Sequence, residues 1–289
     1  MRSISEDDKS TAKTLYIIGN GFDLAHEIKS KYKHFKEYYL ANHKERSILD
    51  FIVINGEWNK IEIDLGNYKE DYILDEIDPN DGKLDLDHYT RDNLITEDSV
   101  HGFYKPIIEE FCKLFRQWVD QIDINVKPID DQYNFNNEDL FLTFNYTETL
   151  EEIYNIPCSQ VLHIHGKRYE SEQYVFGIKD KRSYESIDTQ SCHPGQINAK
   201  EHIVDIMNDF VKPYDRCLNW LNHFLENEKI NEVVVYGHSL GKVDWPYFEK
   251  IIKIIGDDIP WEVNCYEPKD KVRMQQFKQN FGLKNIKAI

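Results

Sequence analysis

Short apolar, β-branched runs that each end in a glycine, asparagine or histidine loop and then give way to helical spacing recur along this chain. That alternation restricts the fold more than any other feature, because it demands a sheet buried on both faces. Thr14–Ile18 (TLYII) stops at Gly19, and the following SKYKHFKEYYLANHK places Tyr32, Phe35 and Tyr39 on one helical face. Asp139–Thr143 (DLFLT) leads to a turn at Asn145 and a helix through Tyr154, and Val161–His165 forms a third strand. Residues 198–228 are mostly helical, Glu232–Tyr236 (EVVVY) is a strand, and Tyr247–Ile255 is a helix. Trp261–Tyr266 and a closing helix from Lys269 end the series. The pattern predicts an α/β, Rossmann-like fold, a mostly parallel sheet with helices on both faces.

Two stretches depart from the alternation. Residues 1–13 are polar and acidic and are expected to form a flexible tail, leaving 14–289 as a single domain. Between Glu62 and Asp98, thirteen acidic residues face three basic ones with weak periodicity and a turn-like DPNDG at 78–82, which marks an inserted segment. A core-facing helix over 100–122, with Phe111, Leu114, Phe115 and Trp118 on one stripe, completes a helical, acidic insertion at about 50–135.

The net charge of −17 argues against duplex DNA or an anionic membrane as partner, since such binders gather Lys and Arg to displace counterions. Cys112, Cys158, Cys192, Cys217 and Cys265 are scattered without a CxxC pair, so neither a disulfide framework nor a thiolate zinc site is expected. They read as reduced, mostly buried side chains. No apolar leader and no long apolar run is evident, so a cytoplasmic location with no membrane span is expected.

In an open parallel sheet, ligands bind beyond the carboxyl ends of the strands. Four loops fall there: Gly19-Asn20-Gly21-Phe22-Asp23, Thr143-Phe144-Asn145-Tyr146-Thr147, His163-Ile164-His165-Gly166 and Gly237-His238-Ser239-Leu240-Gly241. The first lets backbone amides approach a diphosphate, although Leu24 stands where a dinucleotide fingerprint has its third glycine. His163 and His165, two apart on one strand, would point to the same side. No further ligands at metal spacing accompany them, so no metal is expected; His165 suits a general base and His163 a hydrogen-bonded structural role. The fourth loop matches a GxSxG nucleophile elbow, yet no histidine follows Ser239 and Pro246 would interrupt the helix that such an elbow needs.

IIGNGFDLAH, FNYTETLEEIY with HIHG, and YGHSLGKVDWPYF together resemble the AbiH family of bacterial abortive-infection proteins over roughly residues 14–256. The same series is similar, more distantly, to the sirtuin pattern that surrounds NAD. The resemblance implies Gly19 and Gly21 at the diphosphate, Asn145 at the nicotinamide ribose, His165 as base, and Gly237 with Ser239 on nucleotide oxygens. Asn20, Phe22, Thr143, Gly166 and His238 share those loops and complete the implied nucleotide set. Asp23 and Asp244 read equally as ribose-hydroxyl acceptors, as orienters of His238, or as helix N-caps. Thr147 replaces an Asp of the sirtuin loop, Asn20 and Phe22 enlarge the first one, and the deacylase zinc cysteines are absent. Those departures leave hydrolysis of the nicotinamide bond as the simpler chemistry. The expected function is therefore an NAD hydrolase effector of antiphage abortive infection that takes NAD or a related dinucleotide as substrate. A phage-derived trigger or a partner defence protein is implied, and a homo-oligomer stays open. A non-catalytic nucleotide-sensing or protein-binding module and a GxSxG serine hydrolase are the alternatives. With such a negative chain, affinity for an anionic substrate has to come from local amides and helix N-termini rather than long-range steering.

Overall fold

A computed structural model describes residues 13–43, 48, 61–65, 89–129, 133, 135–170, 174–188, 190 and 194–289. Residues 1–12 of the expected tail, the DPNDG turn and Cys192 lie outside the described residues, as does most of the acidic stretch. The chain divides into two compact units, one made of 1–30, 122–175 and 213–289, the other of 31–121 and 176–212. A single domain with an insertion at about 50–135 was expected; the second unit begins earlier, at residue 31, and takes in a later segment, 176–212.

The first unit holds a six-stranded, all-parallel sheet in the order β3-β2-β1-β4-β5-β6. The strands are β1 (Lys13–Ile18), β2 (Leu140–Thr143), β3 (Val161–His163), β4 (Ile230–Tyr236), β5 (Trp261–Val263) and β6 (Ile286–Ala288). Strand alternation sorts their side chains onto two faces. Leu15 and Ile17, Leu140 and Leu142, and Val233 and Val235 enter one core cluster. Tyr16, Ile18, Phe141 and Val234 enter the other. Helices α7 (Tyr214–Leu225), α8 (Trp245–Ile255) and α9 (Pro268–Phe281) bury Leu221, Phe248 and Phe277 in the first cluster. Phe22 of α1 (Asn20–Ala25) and Leu150 of α5 (Thr149–Tyr154) enter the second, with Tyr133 and Phe135 packed against it. Helices on both faces of a parallel sheet make the expected Rossmann-like α/β architecture.

The second unit is helical in its described parts: α2 (Tyr32–Asn42), α3 (Ile61–Asp64), α4 (Tyr89–Asp120) and α6 (Pro194–Asn208). Its core is aromatic. The Phe35 ring lies 5.3 Å from Phe111, 5.1 Å from Phe115 and 5.4 Å from Trp118, so the stripes read from sequence on α2 and α4 meet each other. Helix α4 starts at Tyr89, inside the acidic stretch, because its leading turns are too polar to show an apolar period in sequence.

Several expectations are corrected. β3 ends at His163, because Gly166 adopts φ 88° and its amide closes a turn on the His163 carbonyl at 3.1 Å; His165 is therefore in a turn and not on the strand. β5 ends at Val263, and β6 follows the closing helix as an extra edge strand of three residues, too short to carry a sequence signal. Pro246 stands in the first turn of α8 rather than breaking it, since its missing amide is harmless there. Of the described cysteines, all free, only Cys217 is buried; Cys112 and Cys158 are exposed.

Candidate functional site

The strand order reverses between β1 and β4, so their carboxyl ends flank the topological switch point of the sheet. The loops after these strands meet backbone to backbone. The Gly21 amide donates to the Gly237 carbonyl at 2.8 Å. A Cβ on Gly19 would lie 2.5 Å from His238 Cα, one on Gly21 2.6 Å from Gly237 Cα, and one on Gly237, at φ +66°, 2.2 Å from the Phe22 nitrogen. The three glycines are thus required for the approach of the two loops to each other, a reason distinct from the approach of a diphosphate.

The loop after β2 joins this pair through Asn145. Its side-chain amide donates to the Gly19 carbonyl at 3.2 Å and hydrogen-bonds the Asp23 carboxylate. Its backbone amide donates to Thr143 Oγ1 at 3.1 Å, and its carbonyl accepts His163 Nδ1–H at 3.0 Å. With the amide nitrogen engaged inward, Oδ1 is the end of the side chain suited to an incoming group. His163 Nε2 lies 3.0 Å from Glu151 Oε1, so His163 is a buried strut, as its sequence context suggested.

Asp23 is 1% exposed, on the first turn of α1. Its two oxygens accept Thr147 Oγ1–H at 2.5 Å and Thr149 Oγ1–H at 2.8 Å. Burial pushes its pKa from 3.8 up to about 6, against the lowering effect of these two hydroxyls, Asn145 and the nearby His163. The threonine at 147 has a physical reason: a second carboxylate there would face Asp23 in a dry interior. His26, in the same segment, donates from Nδ1 to the Phe22 carbonyl at 2.8 Å and accepts the Tyr154 hydroxyl at Nε2 at 2.7 Å; burial lowers its pKa.

A second polar group gathers around Asp244. His238 Nε2 lies 3.4 Å from Asp244 Oδ2, and His165 Nε2 lies 3.9 Å from Oδ1. All three side chains are largely buried. Phe144, between Thr143 and Asn145, packs its ring 5.1 Å from that of His165 and 4.4 Å from that of His238. His163 and His165 consequently face different partners, not the common side that a strand would have provided.

Other candidates are placed elsewhere. Phe22 is in the aromatic core, 4.7 Å from the His26 ring and 4.8 Å from Tyr133. Asn20 folds back onto Ser30. Ser239 is exposed, and the left-handed residues of its loop are Gly237 and Leu240 rather than the serine. Sequence reading missed Thr149, Glu151 and Phe144. The partner of Thr149 is 126 positions away, so no local pattern could reveal it. Neither aspartate caps a helix through its side chain: Asp23 is interior to α1, and Asp244, at the N-cap of α8, makes no capping bond. Among the described residues no group of three or more His, Cys, Asp and Glu is arranged to hold a metal, and no helix is long and apolar enough to cross a membrane.

These features define a doubly wound α/β protein with a buried polar centre at the switch point of its sheet. The model of the family described as bacteriophage abortive infection AbiH matches residues 15–265. The chain belongs to the AbiH family, which carries with it a role in abortive infection by bacteriophage. No protein of established function and no solved structure matches it.

Proposed function

We propose that this AbiH protein acts by hydrolysing NAD, or a closely related dinucleotide, to nicotinamide and ADP-ribose. The observation that carries the reading is the over-determined placement of Asn145 at the switch point, where Gly19, Asp23, Thr143 and His163 hold it from both backbone and side chain. Structures restrain a polar side chain this fully where its remaining atom has a task. The loop carrying His165 follows the neighbouring strand, β3, which pairs with β2.

In the reaction the bond between ribose C1′ and the nicotinamide nitrogen breaks, and its electron pair neutralises the pyridinium. Water adds to the oxocarbenium-like C1′ and releases one proton. Asn145 Oδ1 orients the ribose hydroxyl or the water, and His165 accepts the proton. No strong nucleophile is needed, which agrees with a site whose hydroxyl groups, Thr147 and Thr149, are turned inward onto Asp23. The serine-hydrolase alternative gains no support from an exposed Ser239 outside the strained position of its own loop. The trigger for such an effector would be of phage origin or a partner defence protein.

Purified protein mixed with NAD, with and without phage-infected lysate, should release nicotinamide. Asn145→Ala and His165→Ala should each lower release by about 10²-fold or more while NAD still binds. Binding without release under both conditions would replace hydrolysis by nucleotide sensing.

A further inference from the structure

We infer that Asp244 is the positioning residue of His165, and that His238 holds the Asp244 carboxylate in place. The inference rests on the hydrolase reading for its kinetic consequence but on geometry for its substance. Asp is among the most favoured N-cap residues, and Asp244 stands at the N-cap of α8, yet its side chain makes no capping hydrogen bond. The carboxylate is turned instead to two imidazoles, with Oδ2 3.4 Å from His238 Nε2 and Oδ1 3.9 Å from His165 Nε2.

The tautomer of His238 follows from its other nitrogen. Nδ1 lies 3.0 Å from the Leu240 amide nitrogen, a donor, so Nδ1 carries the lone pair and Nε2 the proton in the neutral ring. That nitrogen is the one 3.4 Å from Asp244 Oδ2. Leu240 presents its amide from a left-handed backbone at φ +52°, a conformation that a leucine adopts only when its surroundings impose it. The tautomer of His238 is thereby fixed, and the second carboxylate oxygen, Oδ1, is the one nearer His165. Phe144 packs against both rings, limiting their rotation. When His165 takes a proton from water, Asp244 stabilises the imidazolium without itself accepting the proton.

The test uses the full chain, with histidine ring nitrogens observed by long-range 15N–1H NMR and assigned through His165→Gln and His238→Gln. The wild type should show His238 as the Nε2–H tautomer, and Asp244→Asn should shift the ring resonances of both His165 and His238. A His165 ring unmoved by Asp244→Asn, or a His238 protonated on Nδ1, overturns the inference. Should Asp244→Asn fail to fold, His238→Gln repeats the experiment with the carboxylate intact, and His165 must again shift. Kinetically, Asp244→Asn should lower kcat by on the order of 10²- to 10⁴-fold with KM little changed. In a His165→Ala background it should have no further effect, and a full additional loss there refutes action through His165. If the wild type releases no nicotinamide, the hydrolase reading fails by itself while the NMR result still decides what Asp244 holds.

Discussion

Asp23→Asn should make this protein more stable at neutral pH, with a gain that grows as the pH rises. The folded pKa of Asp23, about 6, is raised above the ordinary 3.8 chiefly by burial. Between those values the native state binds the proton more tightly than the unfolded chain, so stability falls as pH climbs through the window and the penalty is constant above it. Below 3.8 the penalty is absent. At 1.36 kcal/mol per pKa unit, the full penalty is about 3 kcal/mol; about half of it is present at pH 5 and nearly all at pH 7.5. Asparagine keeps the shape and removes the charge, at the expense of turning a donor toward the Thr147 and Thr149 hydroxyls, which must then accept. The absolute gain is therefore reduced, but its change with pH is not. Urea unfolding of wild type and variant should show the stability difference rising by roughly 1–2 kcal/mol from pH 5 to 7.5, equivalent to a few degrees in Tm. A difference that stays flat across this range, or that shrinks, would refute the assignment of an ionised, desolvated Asp23. If the protein hydrolyses NAD as proposed, the same variant should lose nicotinamide release, because Asp23 fixes the Asn145 amide.

Gly237→Ala should destabilise by about 3 kcal/mol or more, since it adds left-handed strain to a contact of 2.2 Å with the Phe22 nitrogen; denaturant titration with a loss under 1 kcal/mol would speak against the tight loop pairing. Asn145→Asp sets a second carboxylate beside Asp23 and the Gly19 carbonyl, so its Tm should fall sharply at pH 8 and recover toward pH 5, where one carboxyl holds a proton; a pH-independent loss contradicts the proposed contacts. His26 acts in the opposite sense to Asp23. Its lowered folded pKa means that its neutral form stabilises above the ordinary 6.5, a contribution lost as pH falls below that value, so His26→Gln should flatten the acid side of the wild-type stability profile between pH 6.5 and 5.

Five of the six strands and most helices were legible in the chain because their signals are local. TLYII and EVVVY alternate between two buried faces within a single run, and the aromatic spacing on α2 and α4 is the period of one helix. The positions of the four loops after β1, β2, β3 and β4 followed from the same reading, since loops after parallel strands must lie at one edge of the sheet. Their internal wiring was not legible. Asp23 is held by Thr147 of the loop after β2 and Thr149 at the start of α5, and Asp244 leaves its cap for two histidines that flank it in space; such choices depend on burial, where a carboxylate takes whichever donors the folded interior brings near. β3 illustrates the boundary. Val161–His165 reads as one strand by composition, but Gly166 at φ 88° ends it at His163 and turns His165 toward Asp244. The sequence by itself determined a parallel α/β sheet, the glycines at its switch point and the loops where chemistry would collect. Tertiary structure decided which glycine meets which backbone and which aspartate serves which histidine, because those contacts join residues far apart in the chain and exist only once the strands have paired.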